Sequence, residues 1–216
     1  MITNKAVSLS DQVYEKLESD IYSGKYKRGD IITEPALCEE LGVSRTPVHE
    51  AVSRLKYDHI VEDCSKGILV LGITPEDAEL IYDIRKSIEC MAAAACAKNI
   101  TDEQIADLSD IMDLQTYYMQ RNNSERVKFY DSEFHQKIYK YSGSTVFMDV
   151  LSPLHKKIQK YRQVSVENRS RAEISVQEHR AILNNIIKHN EAGAAEAMYY
   201  HICRAEEHLK ELRGEE

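Results

Sequence analysis

No stretch of this sequence approaches the run of about 20 apolar residues that a membrane helix needs. The opening segment MITNKAVSLSDQ also has no apolar core of the kind a signal peptide carries. A cytoplasmic protein with no membrane partner is the expectation. The five cysteines, Cys38, Cys64, Cys90, Cys96 and Cys203, form no CxxC pair and leave an odd thiol. That argues against a disulfide framework and for a reducing compartment. Low-complexity tracts and repeats of solenoid period are missing too. Excess positive charge is also lacking: 28 Lys and Arg stand against 36 Asp and Glu, a formal net charge of −8. Residues 1–73 alone carry nine basic against twelve acidic side chains, or −3. Bulk charge therefore gives no support to nucleic-acid binding, which only a local motif could carry.

Such a motif begins at Gly29. GDIITEPALCEELGVSRTPVHEAVSRL (29–55) reads as two short amphipathic helices broken at Gly42. The first runs from about Glu34 to Leu41 with Leu37 and Leu41 on one face, and Gly42 can take the left-handed conformation that ends it. Ser44 is placed to cap the second helix through its side chain, and Pro47 falls in the first turn, where its missing N–H costs little. Val48, Ala51, Val52 and Leu55 then face inward, leaving Arg45, Thr46, His49 and Ser53 outward near the helix start, where a recognition helix meets base edges and phosphates. An ordinary helical hairpin would look much the same. Two β-like runs follow, however, Ile60–Asp63 and Ile68–Leu71, separated by Cys64-Ser65-Lys66-Gly67, and they predict a β-hairpin wing. Upstream, Val13, Leu17 and Ile21 recur every four residues on a helix that ends before Gly24. Together these make a winged helix-turn-helix. Its second helix has a local basic balance, with Arg45, Arg54 and Lys56 against Glu50, and Lys25, Lys27, Arg28 and Lys66 could border the same surface.

After the wing, Gly72-Ile73 forms a joint and Thr74-Pro75-Glu76-Asp77 reads as a helix start. The 216 residues divide into 1–73 and 74–216, a length sufficient for two cores. In the second part, Ile81, Ile84, Ile88, Met91 and Ala95 predict a core-facing stripe, and Thr101 with Gln104 a capping box. Further helices are expected at about 102–121, 124–141, 145–167, 171–190 and 191–212, with Pro153 ending or kinking its own helix. The fold class is mainly α: an N-terminal winged helix-turn-helix followed by an all-α helical bundle.

Within the bundle, Asp131 and His135 are one helical turn apart and leave the same face. His179 keeps inward spacing with Ile182 and Ile186, and His201 shares a stripe with Ala194, Ala197, Met198 and Ala205. Three imidazoles and a carboxylate suit a divalent transition metal such as zinc, nickel or manganese. Spacing alone leaves the plainer alternative open, since a histidine on an apolar face is more often a hydrogen-bonded core residue.

Residues 10–72 resemble the DNA-binding domain of the GntR family of bacterial transcription regulators. The resemblance is carried by GDI at Gly29–Ile31, Glu34, LGVSRTPV at Leu41–Val48, Glu50-Ala51, Arg54-Leu55 and Gly67. It implies an interface to double-stranded operator DNA built from Arg45, Thr46, His49, Ser44, Glu34, Lys66 and Gly67, with Arg45 as the chief base or phosphate contact. The family usually carries arginine where this chain has His49, and often a basic residue where it has Pro35. Residues 74–216 are similar to the helical effector domain of the FadR-like branch of that family. Metal-binding members of the branch have D-xxx-H on one helix and two later histidines, which map onto Asp131, His135, His179 and His201. Ser142-Gly143, the EHRAI segment Glu178–Ile182, and Arg85 with Glu89 match as well.

The resemblance implies a homodimeric repressor rather than an enzyme, controlled by a small organic-acid effector at open metal positions. Arg85 is the expected partner of the effector carboxylate, with Arg162 and Arg180 as alternatives. Tyr82, Tyr117, Tyr118, Tyr161, Tyr199 and Tyr200 are possible hydroxyl donors. His155, His189 and His208 lack matches and read as surface residues or supports, His208 being the substitute ligand if one assignment fails. Two other readings stand beside this one. A metal-dependent hydrolase is opposed by the absence of a recognisable base or nucleophile, and a metal-free site for an acyl-coenzyme A by the presence of all four ligand positions.

Overall fold

In the computed structural model of the chain, which describes residues 8–158 and 169–213, the Ser8 side chain accepts a hydrogen bond from the Asp11 amide and opens α1 (Leu9–Tyr22). Val13, Leu17 and Ile21 are buried, as their spacing predicts. Helix α2 (Glu34–Leu41) is capped by Thr33 and closed by Gly42 at φ 65°, ψ 31°. Helix α3 (Arg45–Tyr57) buries Val48, Ala51, Val52 and Leu55. Ser44 does occupy its N-cap with extended backbone, but makes no side-chain capping bond. Pro47 removes one of the two amides such a cap can use, since an N-cap side chain accepts from the second or third amide of the helix and proline at the third position has none.

The wing is present as β2 (Val61–Cys64) and β3 (Gly67–Val70), each within a residue of the expected bounds. A third strand, β1 (Ile31–Ile32), was not expected, because two residues carry no periodicity. It pairs antiparallel with β3 through Ile31↔Leu69 and Ile32↔Ile68, giving the order β1-β3-β2. Helices and sheet share one core, in which Leu17, Leu37, Val48, Leu55, Val61 and Val70 are buried.

Gly67 has a structural duty that motif matching does not show. It sits at φ +144°, and a Cβ there would lie 2.6 Å from the Ile32 carbonyl oxygen. Gly67→Ala should therefore push β1 from β3 and destabilise this unit by about 1–3 kcal/mol, read as a lowered thermal midpoint. An unchanged melt would show that the wing relaxes freely.

The chain forms two compact units, Met1–Thr74 and Pro75–Glu216. The second contains α4 (Pro75–Asn99), α5 (Asp102–Gln120), α6 (Ser124–Tyr141), α7 (Thr145–Lys157), α8 (Arg169–Ile187) and α9 (Glu191–Arg213). Thr101 and Gln104 form the expected capping box. Helix α7 runs through Pro153 and ends one turn later, so its expected extension to Glu167, and with it Tyr161 and Arg162, lies outside the described residues. Among the described residues no strand follows β3, and no helix is long and apolar enough to cross a membrane.

Helices α4 and α9 run antiparallel. Lys86 meets Glu206 at 3.0 Å, and Nδ1 of His189, in the turn before α9, lies 2.8 Å from the Ala97 carbonyl oxygen. The face that α4 buries corrects the expected stripe. Ala78, Ile81, Tyr82, Arg85, Glu89, Ala92, Ala93, Cys96 and Ala97 are inside, whereas Ile84 and Met91 are exposed. An arginine and a glutamate have displaced the apolar residues from the core.

Candidate functional site

Two places gather the chemistry-bearing residues, one in each unit. In the first unit, an open groove of about 660 Å³ lies between the helices and the wing, lined among others by Glu34, Pro35, Arg45, Thr46, His49 and Gly67. Six of its residues are thus ones that the sequence placed at or beside a DNA interface. Arg45 is 80% exposed in its side chain and His49 65%. Both lean on one carboxylate: Arg45 Nε is 3.4 Å from Glu34 Oε2, and His49 Nδ1 is 2.8 Å from Glu34 Oε1. The hydrogen bond from His49, with that from Arg45, holds the Glu34 carboxyl below its ordinary range. Ser44 and Lys66 are exposed. Of the other cations, Arg54 pairs with Asp11 and Lys56 with Asp63, which leaves Arg45 as the most exposed of the three and the one with the longest ion pair.

In the second unit, α6, α8 and α9 bring Asp131, His135, His179 and His201 together, all buried. His179 Nε2 lies 3.3 Å from His201 Nε2 and 3.6 Å from Asp131 Oδ1. The ring of His135 is 5.1 Å from that of His179 and 5.2 Å from that of His201. One ligand atom from each of the three histidines falls within 4.8 Å of the others. Ligand atoms about 2.1 Å from a common ion are separated by about 3.0–3.4 Å in tetrahedral or octahedral order, so this geometry is close to a coordination sphere.

The opposite edge of each ring is held. His135 Nδ1 is 2.8 Å from Glu89 Oε2, His179 Nδ1 3.0 Å from Gln115 Oε1, and His201 Nδ1 2.7 Å from Glu178 Oε2. An acceptor on Nδ1 fixes the proton there and turns the Nε2 lone pair inward, the arrangement found around metal-binding histidines. Two of these acceptors have an arginine behind them. Arg85 donates from Nε to Glu89 at 2.5 Å, and Arg171 donates from both terminal nitrogens to Glu178. Burial pushes the Glu89 carboxyl up, but Arg85 and then His135 outweigh it and hold it well below its ordinary range. At Glu178 burial prevails over Arg171, and the carboxyl is raised. Burial, reinforced by His135 and the two arginines, keeps His201 well below its ordinary value of 6.5 and so in the neutral form that coordinates metals.

The sequence-named residues scatter around this centre. Arg85 is buried on Glu89 rather than free in a cavity, while Arg180 sits at the surface against Asp113. Tyr82 is buried beside Arg85, and Tyr117, Tyr199 and Tyr200 are exposed. His189 ties a turn to α4, and His208 stands against Glu211 outside both potential ligand clusters. Of the two readings of His155, surface residue or support, its burial agrees with the second. Its ring lies 5.2 Å from that of His135, in a second cluster with Glu89, because α7 packs its inner face onto α6. Burial, then His135 and Arg85, hold it well below 6.5. Tyr139, unremarked in the sequence, is buried 3.5 Å from His155. The helical spacing that joins Asp131 to His135 continues to Tyr139 and would have found it. Gln115 and Arg171 offered no such signal, since nothing local marks a polar side chain as facing inward.

Two family models match this chain: the FCD domain over residues 79–204 and the gntR family of bacterial regulatory proteins over residues 9–67. The chain is 27% identical over 207 residues to an uncharacterised helix-turn-helix transcriptional regulator, YdhC, of Bacillus subtilis (strain 168), covering 94% of this chain and 92% of that one. It is 26% identical over 170 residues to the gluconate operon transcriptional repressor of Bacillus licheniformis, covering 79% and 69% respectively. The solved structure of E. coli McbR/YncC superposes with a TM-score of 0.83 at 20% identity, covering 96% of this chain and 100% of that one, a likeness of fold. A winged helix that matches one model, a helical unit that matches the other over more than half the chain, and relatives that are themselves regulators agree: the chain is a transcriptional regulator of the GntR family, with a DNA-binding helix-turn-helix domain followed by an FCD domain.

Proposed function

We propose that residues 1–73 bind a palindromic operator as half of a cytoplasmic homodimer, and that residues 74–216 control this binding by sensing a small organic acid at a divalent transition metal. The observation that carries the sensing half is the set of three buried imidazoles, each held at Nδ1 by a different acceptor, with a ligand atom from each within 4.8 Å of the others and His179 Nε2 facing both His201 and Asp131. Asp131, His135, His179 and His201 are the ligands of this reading. Zinc, nickel or manganese held there would supply Lewis acidity and open positions for carboxylate oxygens. The chain's own part is to orient the ligands, to hold His201 neutral and to exclude water. Two buried atoms, Gln115 Nε2 and His155 Nε2, have no hydrogen-bond partner among the described residues. Each belongs to a side chain touching a proposed ligand, and they provide polar contacts for the rest of the effector. A relative named for repressing a gluconate operon fits an organic-acid signal and a repressor. The exposed stripe Leu80, Ile84 and Met91 on α4 is apolar surface where a second copy would dock.

The DNA-binding half is tested by Arg45→Ala on duplexes selected by the wild-type protein. A bidentate guanidinium contact to a base carries about 1–3 kcal/mol, so affinity should fall by roughly 5- to 150-fold, with two chains per operator in the wild-type complex. A loss shared equally by all sequences, with a shallower salt dependence, would identify a phosphate contact. Unchanged affinity would remove Arg45 from the interface, and a single chain per operator would overturn the dimer.

A further inference from the structure

His49 stands one turn after Arg45 on the exposed face of α3, and its environment determines what it can read. Its Nδ1 is 2.8 Å from Oε1 of Glu34, whose carboxyl is held below its ordinary range by this bond and by Arg45. An ionised carboxylate only accepts hydrogen bonds, so the proton of the neutral imidazole must sit on Nδ1, and Nε2 is left as a lone pair. The exposed edge of His49 is therefore an acceptor. A guanidinium at that place could only donate. In the major groove the acceptors of guanine, N7 and O6, suit a donor, while the amino groups of adenine N6 and cytosine N4 suit an acceptor.

We infer that His49 is a specificity-determining residue that selects adenine or cytosine at one position of each half-site, and that Glu34 is the positioning residue that sets this choice by fixing the tautomer. This rests on α3 being the recognition helix. Arg45 shares the Glu34 carboxylate at 3.4 Å and keeps its own donors for a different base or phosphate. The other charged pair lining the groove, Lys56 with Asp63 at 2.6 Å, is closed on itself.

The test is selection from a randomised DNA duplex library by the full-length wild-type protein, His49→Arg, His49→Ala and Glu34→Gln, at mildly alkaline pH. The wild type should enrich adenine or cytosine at one symmetric position. His49→Arg should enrich guanine there and leave other positions unchanged, and His49→Ala should accept any base. Glu34→Gln, whose amide can donate as well as accept, should lose the preference while His49 remains. Competition between duplexes differing at that position should show a discrimination of at least about fivefold in the wild type. Enrichment of guanine by the wild type, or identical sites for wild type and His49→Arg, would overturn the inference while leaving α3 as the recognition helix. If none of the proteins enriches any sequence, the recognition-helix reading itself fails.

Discussion

Replacing His179 with alanine should abolish metal binding and remove the thermal stabilisation that metal confers. The side chain is fully buried, and its Nε2 stands between His201 Nε2 at 3.3 Å and Asp131 Oδ1 at 3.6 Å. An ion bound there joins α6, α8 and α9, and because the unfolded chain has no preformed site, binding stabilises the native state by mass action. The gain is about 2.7 kcal/mol when free metal stands at 100 times its dissociation constant. Wild-type protein purified without a histidine tag should contain zinc, nickel or manganese and should melt at lower temperature after chelation. His179→Ala should contain none and should melt alike with and without chelator. Since alanine also leaves a cavity, the difference between chelated and loaded melts is the quantity to compare, and His179→Gln provides a better-filled control. A metal-free wild-type protein that none of the three ions stabilises would defeat the metal centre.

The metal-free protein should in addition be acid-sensitive. Burial holds His201 and His155 well below 6.5 in the native state, whereas the unfolded chain takes up protons near that value. The unfolded state then binds more protons, so stability is complete above about pH 6.5 and falls progressively as the pH drops beneath it. Equal melting temperatures at pH 7.5 and 5.5 would contradict the burial of these rings.

Arg85→Met should cost about 3–5 kcal/mol, because it leaves the fully buried Glu89 without its guanidinium partner and with only His135 beside it. The carboxyl would then rise and take up a proton. His135 would lose a charged acceptor at Nδ1, and metal affinity should fall by about 10- to 100-fold, as when other outer supports of a ligand are removed. This outcome separates two roles. If Arg85 served only as the anchor of an effector carboxylate, the variant would keep both its melting temperature and its metal affinity and lose only the effector response. Arg85→Met with Glu89→Leu should recover part of the stability, since a buried pair removed together leaves no orphaned charge. Metal titration by calorimetry and thermal melts of the two singles and the double complete the cycle.

Local chemistry determined much of this protein. Gly42 had to end α2, since the turn demands the left-handed conformation it adopts at φ 65°. Leu17, Val48 and Leu55 had to turn inward, because each lies on the apolar side of a helical period. Asp131 and His135 share a face because four residues make one turn, and that regularity extended to Tyr139. Tertiary structure decided what periodicity does not encode. On α4 the pattern favoured Ile84 and Met91 for the core, yet Arg85 and Glu89 went inside. The balance turned on partners from outside the helix, since Glu89 can be buried only where His135 from α6 meets it alongside Arg85. Gln115 and Glu178 became supports of the histidines through contacts 64 and 23 residues away in sequence. His155 became a buried neighbour of His135 in the same way. At Gly67 the missing Cβ answers a carbonyl of β1, a strand too short to announce itself. Hydrophobic spacing is written along one element, whereas the cost of burying a charge is cancelled only by groups that another element brings to it.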